Sequence, residues 1–194
     1  MTARPTETTN FFWHCLVAAK LIDELPNKTA TKSHSLRAVR MATVCAAGKN
    51  GVQYASDDAR KRREDIGNHW EQCGLVKEHV VPVSLIYALV HSKLTATCGN
   101  ADTTTPHVLS DQVTQGLTPD VIALFQQHPR AWLVGRIVRE WTLLAWITEL
   151  ENKRFDDKSL HGGISIRKRM PKGWTEEQDR FTRYADCDIA LSRI

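Results

Sequence analysis

Apolar residues recur along the chain at helical spacing, broken by polar runs and turn residues. After a polar leader over residues 1–9, Phe11, Leu16, Val17, Leu21, Ile22 and Leu25 line one side of a helix that Asn10 caps and Pro26 stops. Its cluster Phe11, Phe12 and Trp13 is expected to pack inside the fold, since aromatic side chains bury large areas; a partner-binding surface is the alternative. A polar connection leads to a second helix over residues 35–47, with Leu36, Val39 and Val44 packing and Arg37 and Arg40 on its other face. Gly48 to Gly51 ends it, because Gly and Asn tolerate the left-handed backbone that closes a helix. Ser56, followed by Asp57 and Asp58, opens a third helix with a capping hydroxyl and acids that suit the helix dipole. This helix is expected to run through Arg60 to Arg63 towards Trp70 and Cys73, with Gly74 as its end.

Residues 75–81 have the length and β-branched content of a strand. Pro82 then suits the first turn of a helix carrying Val83, Leu85, Ile86, Leu89 and Val90. Residues 95–118 form the longest polar interval, of a length typical of functional or mobile loops. Thr118 and Pro119 restart a helix that ends near His128 and Pro129. The most apolar part follows, residues 131–148, where Leu133, Val134, Ile137, Val138, Trp141, Leu144 and Ala145 keep helical spacing. A helix is expected throughout, with a strand over 142–148 as the alternative. Beyond Glu149 acids and bases alternate up to a turn at Pro171 to Gly173, and a final short helix is expected from Thr175. The fold class is therefore mainly α with a small β element, taken as one compact domain over 10–194 in which 149–194 can pack as a subdomain.

Composition sharpens this only in part. Hydrophobic residues at 42% and charged residues at 25% are ordinary for a chain that buries a core, which excludes wholesale disorder. The formal charge of +4 is compatible with a polyanionic partner, so the placement of the bases matters more than their sum. Two runs stand out, Arg60-Lys61-Arg62-Arg63 and Arg167-Lys168-Arg169, each read as a solvated face or as a phosphate-contacting one. Cys15, Cys45, Cys73, Cys98 and Cys187 are scattered and never spaced as Cys-x-x-Cys, which argues for reduced thiols in a cytoplasm rather than a disulfide framework or zinc site. The apolar run from Phe11 to Ile22 is interrupted by His14 and Lys20 and is short for a membrane span, so no membrane partner is expected.

The candidate chemistry centres on Glu78 and His79. A phosphodiester hydrolase needs a base near neutral pH to deprotonate water and a hard oxygen to hold a divalent cation, and this pair supplies both residue types. Adjacent strand residues point to opposite faces, so a shared site requires the chain to bend between them. The stretch Glu78-His79-Val80-Val81-Pro82-Val83-Ser84 resembles the signature that opens the ββα-metal finger of HNH nucleases. That resemblance implies a nuclease acting on DNA or RNA with Mg or Mn, with His79 as general base, Glu78 as a metal ligand and Asn100 or His91 as the later ligand. The basic runs would then bind phosphates.

Three other readings stand beside it. The same stretch can be purely structural, with Glu78 exposed and His79 satisfied by a backbone carbonyl. The chain can be a non-catalytic binding protein of phage or plasmid type, acting on nucleic acid or inhibiting a host nuclease complex. Finally, Arg63 and His69 have a spacing similar to that of HEPN ribonucleases, in which Arg and His act on an RNA 2′-hydroxyl.

Overall fold

In a computed structural model, residues 7–27, 29–67, 69–97 and 116–194 are described. The chain is mainly helical with a small four-stranded sheet. It forms two compact units, each built from two separated segments: Met1–Lys49 with Ile86–Trp141, and Asn50–Leu85 with Thr142–Ile194.

The first unit is helical. Helix α1 spans Glu7–Asp23 and α2 spans Lys32–Asn50, with a short 3-10 turn Leu25–Asn27 carrying Pro26 between them. The unit continues from Ile86 in α4, Val83–Thr97, and through α5, Pro119–Gln127, and α6, Pro129–Trp141. Helix α1 packs chiefly on α6. Phe11 and Phe12 of α1 meet Phe125 of α5 at ring distances of 5.9 and 5.0 Å, and Trp132 lies 5.5 Å from the same ring. Gly135 of α6 makes this close approach feasible, since a β-carbon there would lie 3.2 Å from the Phe125 ring. Asp23 and Arg130 clasp the end of α1 to the start of α6 through a two-toothed ion pair.

Three expectations shift here. Helix α1 begins at Glu7, so Asn10 lies inside it rather than capping it. Of the aromatic cluster, Phe11 and Phe12 are buried, but Trp13 is 49% exposed and Val17 stands in solvent with it. Helix α2 is longer at both ends than residues 35–47 and runs through Gly48; the left-handed residue after it is Gly51.

The second unit holds strands β1, Tyr54–Ser56, β2, Val76–His79, β3, Leu144–Ile147, and β4, Leu191–Arg193, in the order β2-β3-β1-β4. The central pair β1 and β3 is parallel, and each edge strand is antiparallel to its neighbour. Every residue of β3 is buried. This corrects the helix expected through residue 148. The helix stops at Trp141, and a central strand covered on both faces shows a continuous apolar run that periodicity alone does not separate from a helix.

Helix α3, Asp57–Ile66, follows β1 directly and packs on β1 and β3. Ser56 caps it, accepting from the Ala59 amide at 3.1 Å. Its end comes sooner than expected, because Gly67 adopts the left-handed conformation well before Gly74; Trp70 sits in a separate 3-10 turn, Trp70–Gln72. Beneath α3, Ala55, Ala59 and Trp146 form a small core, and Trp70 stacks parallel to Trp146 at 6.4 Å. Helix α7, Glu149–Arg154, is closed by a capping box of Thr148 and Glu151. The last helix, α8, is only Thr182–Ala185, and the expected start at Thr175 is a turn; both β1 and β4 were too short to stand out from the pattern. Among the described residues no helix is long and apolar enough to cross a membrane.

Candidate functional site

Strand β2 is an outer strand of the sheet, and its regular register with β3 pairs Glu78 with Ala145 and His79 with Leu144. No bend separates the two residues, so alternation sends the Glu78 carboxylate and the His79 ring to opposite faces. After His79 the chain turns through fully buried Val80 and Val81, held by the Val80 amide donating to the Leu143 carbonyl at 2.8 Å. Buried Pro82 precedes α4, and Leu85 donates back to its carbonyl at 2.9 Å, which is the local reason the strand runs straight into a helix.

The residue that organises this corner is Arg183 of α8, which the sequence reading did not single out. Its side chain is fully buried, while Glu78 retains 20% exposure, and the guanidinium donates to Glu78 Oε1 at 3.0 Å. It also donates to the carbonyl of His79 and, at 2.7 Å, to that of Arg167. Phe155 lies under the guanidinium at 4.4 Å from its ring centre, giving the cation an aromatic face as well as oxygen acceptors. A buried charge needs this density of partners, since an isolated one costs many kcal/mol of desolvation.

Arg183 thereby joins two stretches that the sequence separates by about ninety residues, the strand end and the basic run 167–169. The run is fixed at three further points. Ser84 donates to the Lys168 carbonyl at 2.5 Å, Arg167 donates to Asp156 at 2.7 Å, and Arg167 also reaches the Asn152 carbonyl at 3.1 Å. The backbone is pinned while the side chains of Lys168 and Arg169 stay exposed. His79 is half-buried, with its Nδ1 enclosed.

The other basic run lies on α3. Arg60 donates to the Arg193 carbonyl of the opposite edge strand β4 at 2.7 Å, Arg62 donates to the Cys73 carbonyl at 2.6 Å, and Arg63 covers Trp70 at 4.7 Å. Lys61 remains in solvent. Four acids, Asp57, Asp58, Glu64 and Asp65, share this helix with the four bases, so its charge is balanced. A hollow of about 360 Å³ beside it is lined by Lys61 and Arg62 together with Asp58, Asp65 and Glu149. A second, of about 440 Å³, lies between Arg60, Arg63, Glu64 and Trp70.

The remaining predicted residues fall elsewhere. Asn100 lies outside the described residues, as does Cys98. His91 belongs to the first unit, on α4, with its ring 6.1 Å from Tyr87. His69 caps the 3-10 turn rather than sharing a helix with Arg63. Among the described residues no group of three or more His, Cys, Asp or Glu side chains converges as a metal site would require. The described cysteines are free thiols, and Cys187, 3.6 Å from His161, is pushed up to about 11 by burial, the reverse of an activated nucleophile.

No known protein family, curated protein or solved structure matches this chain.

Proposed function

We propose that the protein binds nucleic acid through the phosphate backbone without cutting it, and that the β2 corner of the second unit is one contact surface. The observation that carries this reading is the pinned backbone under Lys168 and Arg169, fixed by Arg183 and Ser84 while both side chains face solvent. Bases on a fixed support lose less conformational entropy when they meet phosphates than bases on a free loop. Binding without hydrolysis is favoured because Glu78 Oε1 already serves a buried guanidinium and faces away from His79. A divalent cation on that carboxylate would share it with a second positive charge.

Metal-dependent cleavage at His79, with Mg or Mn, is the second reading, favoured by an imidazole at a strand end next to a fixed pair of bases. One experiment separates the two. Plasmid DNA and total RNA are incubated with the protein, with and without EDTA, and binding is followed by gel shift. The proposal expects retarded but intact nucleic acid, weakened about tenfold by Lys168→Ala with Arg169→Ala, with a salt slope shallower by about 2. Nicking that needs Mg or Mn and disappears in His79→Ala would establish the nuclease reading instead. No association with either nucleic acid at low salt would end both.

A further inference from the structure

The formal charge is distributed unevenly between the units. The second unit has 15 Lys and Arg against 15 Asp and Glu, and the first has 11 against 7, so the whole excess of +4 belongs to the first. Within the first unit, α2 contains Lys32, Arg37, Arg40 and Lys49 and no acidic residue. Its own surplus equals that of the entire chain. By contrast, the more conspicuous basic run on α3 is offset by acids on the same helix.

Three of these bases, Lys32, Arg37 and Arg40, are exposed. Ser35, Ala38, Val39, Ala42, Thr43, Ala46 and Ala47 are buried, whereas Ser33, His34, Arg37, Arg40, Met41, Val44 and Gly48 are exposed, at the three- and four-residue spacing of one stripe. Among the described residues neither Arg37 nor Arg40 meets a carboxylate. Met41 at 39% and Val44 at 54% exposure follow them on the same face. The helix is anchored from behind by the hydroxyls of Ser35 and Tyr87, 3.1 Å apart, so the stripe is presented by a fixed element.

We infer that the solvent face of α2 is a docking surface for double-stranded DNA, an inference that rests on the nucleic-acid reading above and places a second contact on the first unit. At 1.5 Å per residue the stripe from Ser33 to Gly48 is about 22 Å long, and a helix of about 10–12 Å diameter fits a major groove about 12 Å wide. Arg37 and Arg40 meet phosphates, while Met41 and Val44 offer apolar contact of the kind a thymine methyl accepts. An acidic protein partner fits less well. The stripe contains no aromatic residue and only two apolar side chains, whereas protein interfaces build their centres from such groups.

The test uses the full chain and a labelled duplex of about 20 base pairs. Binding is measured by fluorescence anisotropy across a salt series. Arg37→Ala with Arg40→Ala should weaken binding at least tenfold and reduce the slope of log K against log salt by about 1.8, roughly 0.9 for each lost phosphate contact. Arg37→Lys with Arg40→Lys should restore most of that slope, which separates lost charge from lost folding; circular dichroism should be unchanged in both. If the wild type binds duplex and the alanine variant binds it equally well with the same slope, α2 is not the docking face, while the nucleic-acid reading survives. If the alanine variant keeps duplex binding but loses a wild-type affinity for polyglutamate, the face belongs to an acidic protein and the inference is overturned. If the wild type binds neither duplex nor RNA, the underlying reading fails as well.

Discussion

Arg183 and Glu78 stand 105 residues apart in sequence and 3.0 Å apart in the fold, the guanidinium buried and the carboxylate its only charged partner among the described residues. The pair closes the second unit by tying α8 to the edge strand β2, and the same guanidinium holds the backbone of residue 167. Removing Glu78 strands a buried cation, which is more damaging than the loss of one hydrogen bond. Glu78→Ala should destabilise the unit by about 3 kcal/mol, and Glu78→Gln by less because an acceptor remains. Urea unfolding of both variants checks this; an alanine variant as stable as wild type would show that the pair holds nothing together.

Glu151 presents a second buried carboxylate with a structural task. It is 4% exposed, and its Oε2 accepts from the Ser56 hydroxyl at 2.7 Å, the Thr148 amide at 2.7 Å and the Thr148 hydroxyl at 2.9 Å. Since Ser56 caps α3 and Thr148 caps α7, one carboxylate locks the starts of two helices. Glu151→Ala is expected to cost about 3 kcal/mol, most of it from donors left without an acceptor. Thermal melts of Glu151→Ala beside the exposed Glu149→Ala provide the comparison, and equal melting temperatures would contradict it.

In the first unit the sensitive position is Gly135. A β-carbon there would sit 3.2 Å from Phe125 and 3.6 Å from Phe11, so a large side chain has no room. Gly135→Leu should destabilise by about 2 kcal/mol or more despite the better helix propensity of Leu. Chemical denaturation reads this directly; a neutral result would mean that the aromatic cluster moves aside at little cost.

Stability should also fall in alkali. Burial raises Cys187 to about 11 from an ordinary value near 9 and pushes Cys15 well above its own. A thiol with its folded value above its unfolded value favours the folded state fully below about pH 9, and that contribution is lost as pH climbs through about 11. Unfolding free energies measured from about pH 8 to about pH 11 should decline, with a smaller decline in Cys187→Ala. A variant whose profile parallels the wild type would show that this thiol is not responsible.

The local signals that were legible share one property: each acts within a few residues. Ser56 as a cap, Pro119 at a helix start and a strand before a helix, expected over 75–81 and found over 76–79, all follow from backbone chemistry at their own positions. The boundary between units left no trace in composition, because each unit takes one segment from either side of the other. Strand β3 was misread for a related reason: the strands that pair with its two edges, β1 and β2, lie far away in sequence, and so does α3, which packs on it.

The site follows the same division. Residue types alone marked Glu78, His79 and the two basic runs as candidates for phosphate chemistry. Whether those groups are available depended on Arg183, Ser84 and the acids of α3, whose effects arise from desolvation and from charges meeting through space. Turn chemistry, caps and hydrophobic period are properties of neighbouring residues, so the chain carries them in one dimension. Pairing of a buried guanidinium with one carboxylate, or an uncompensated stripe on α2, is a property of which surfaces are buried, and only the folded chain decides that.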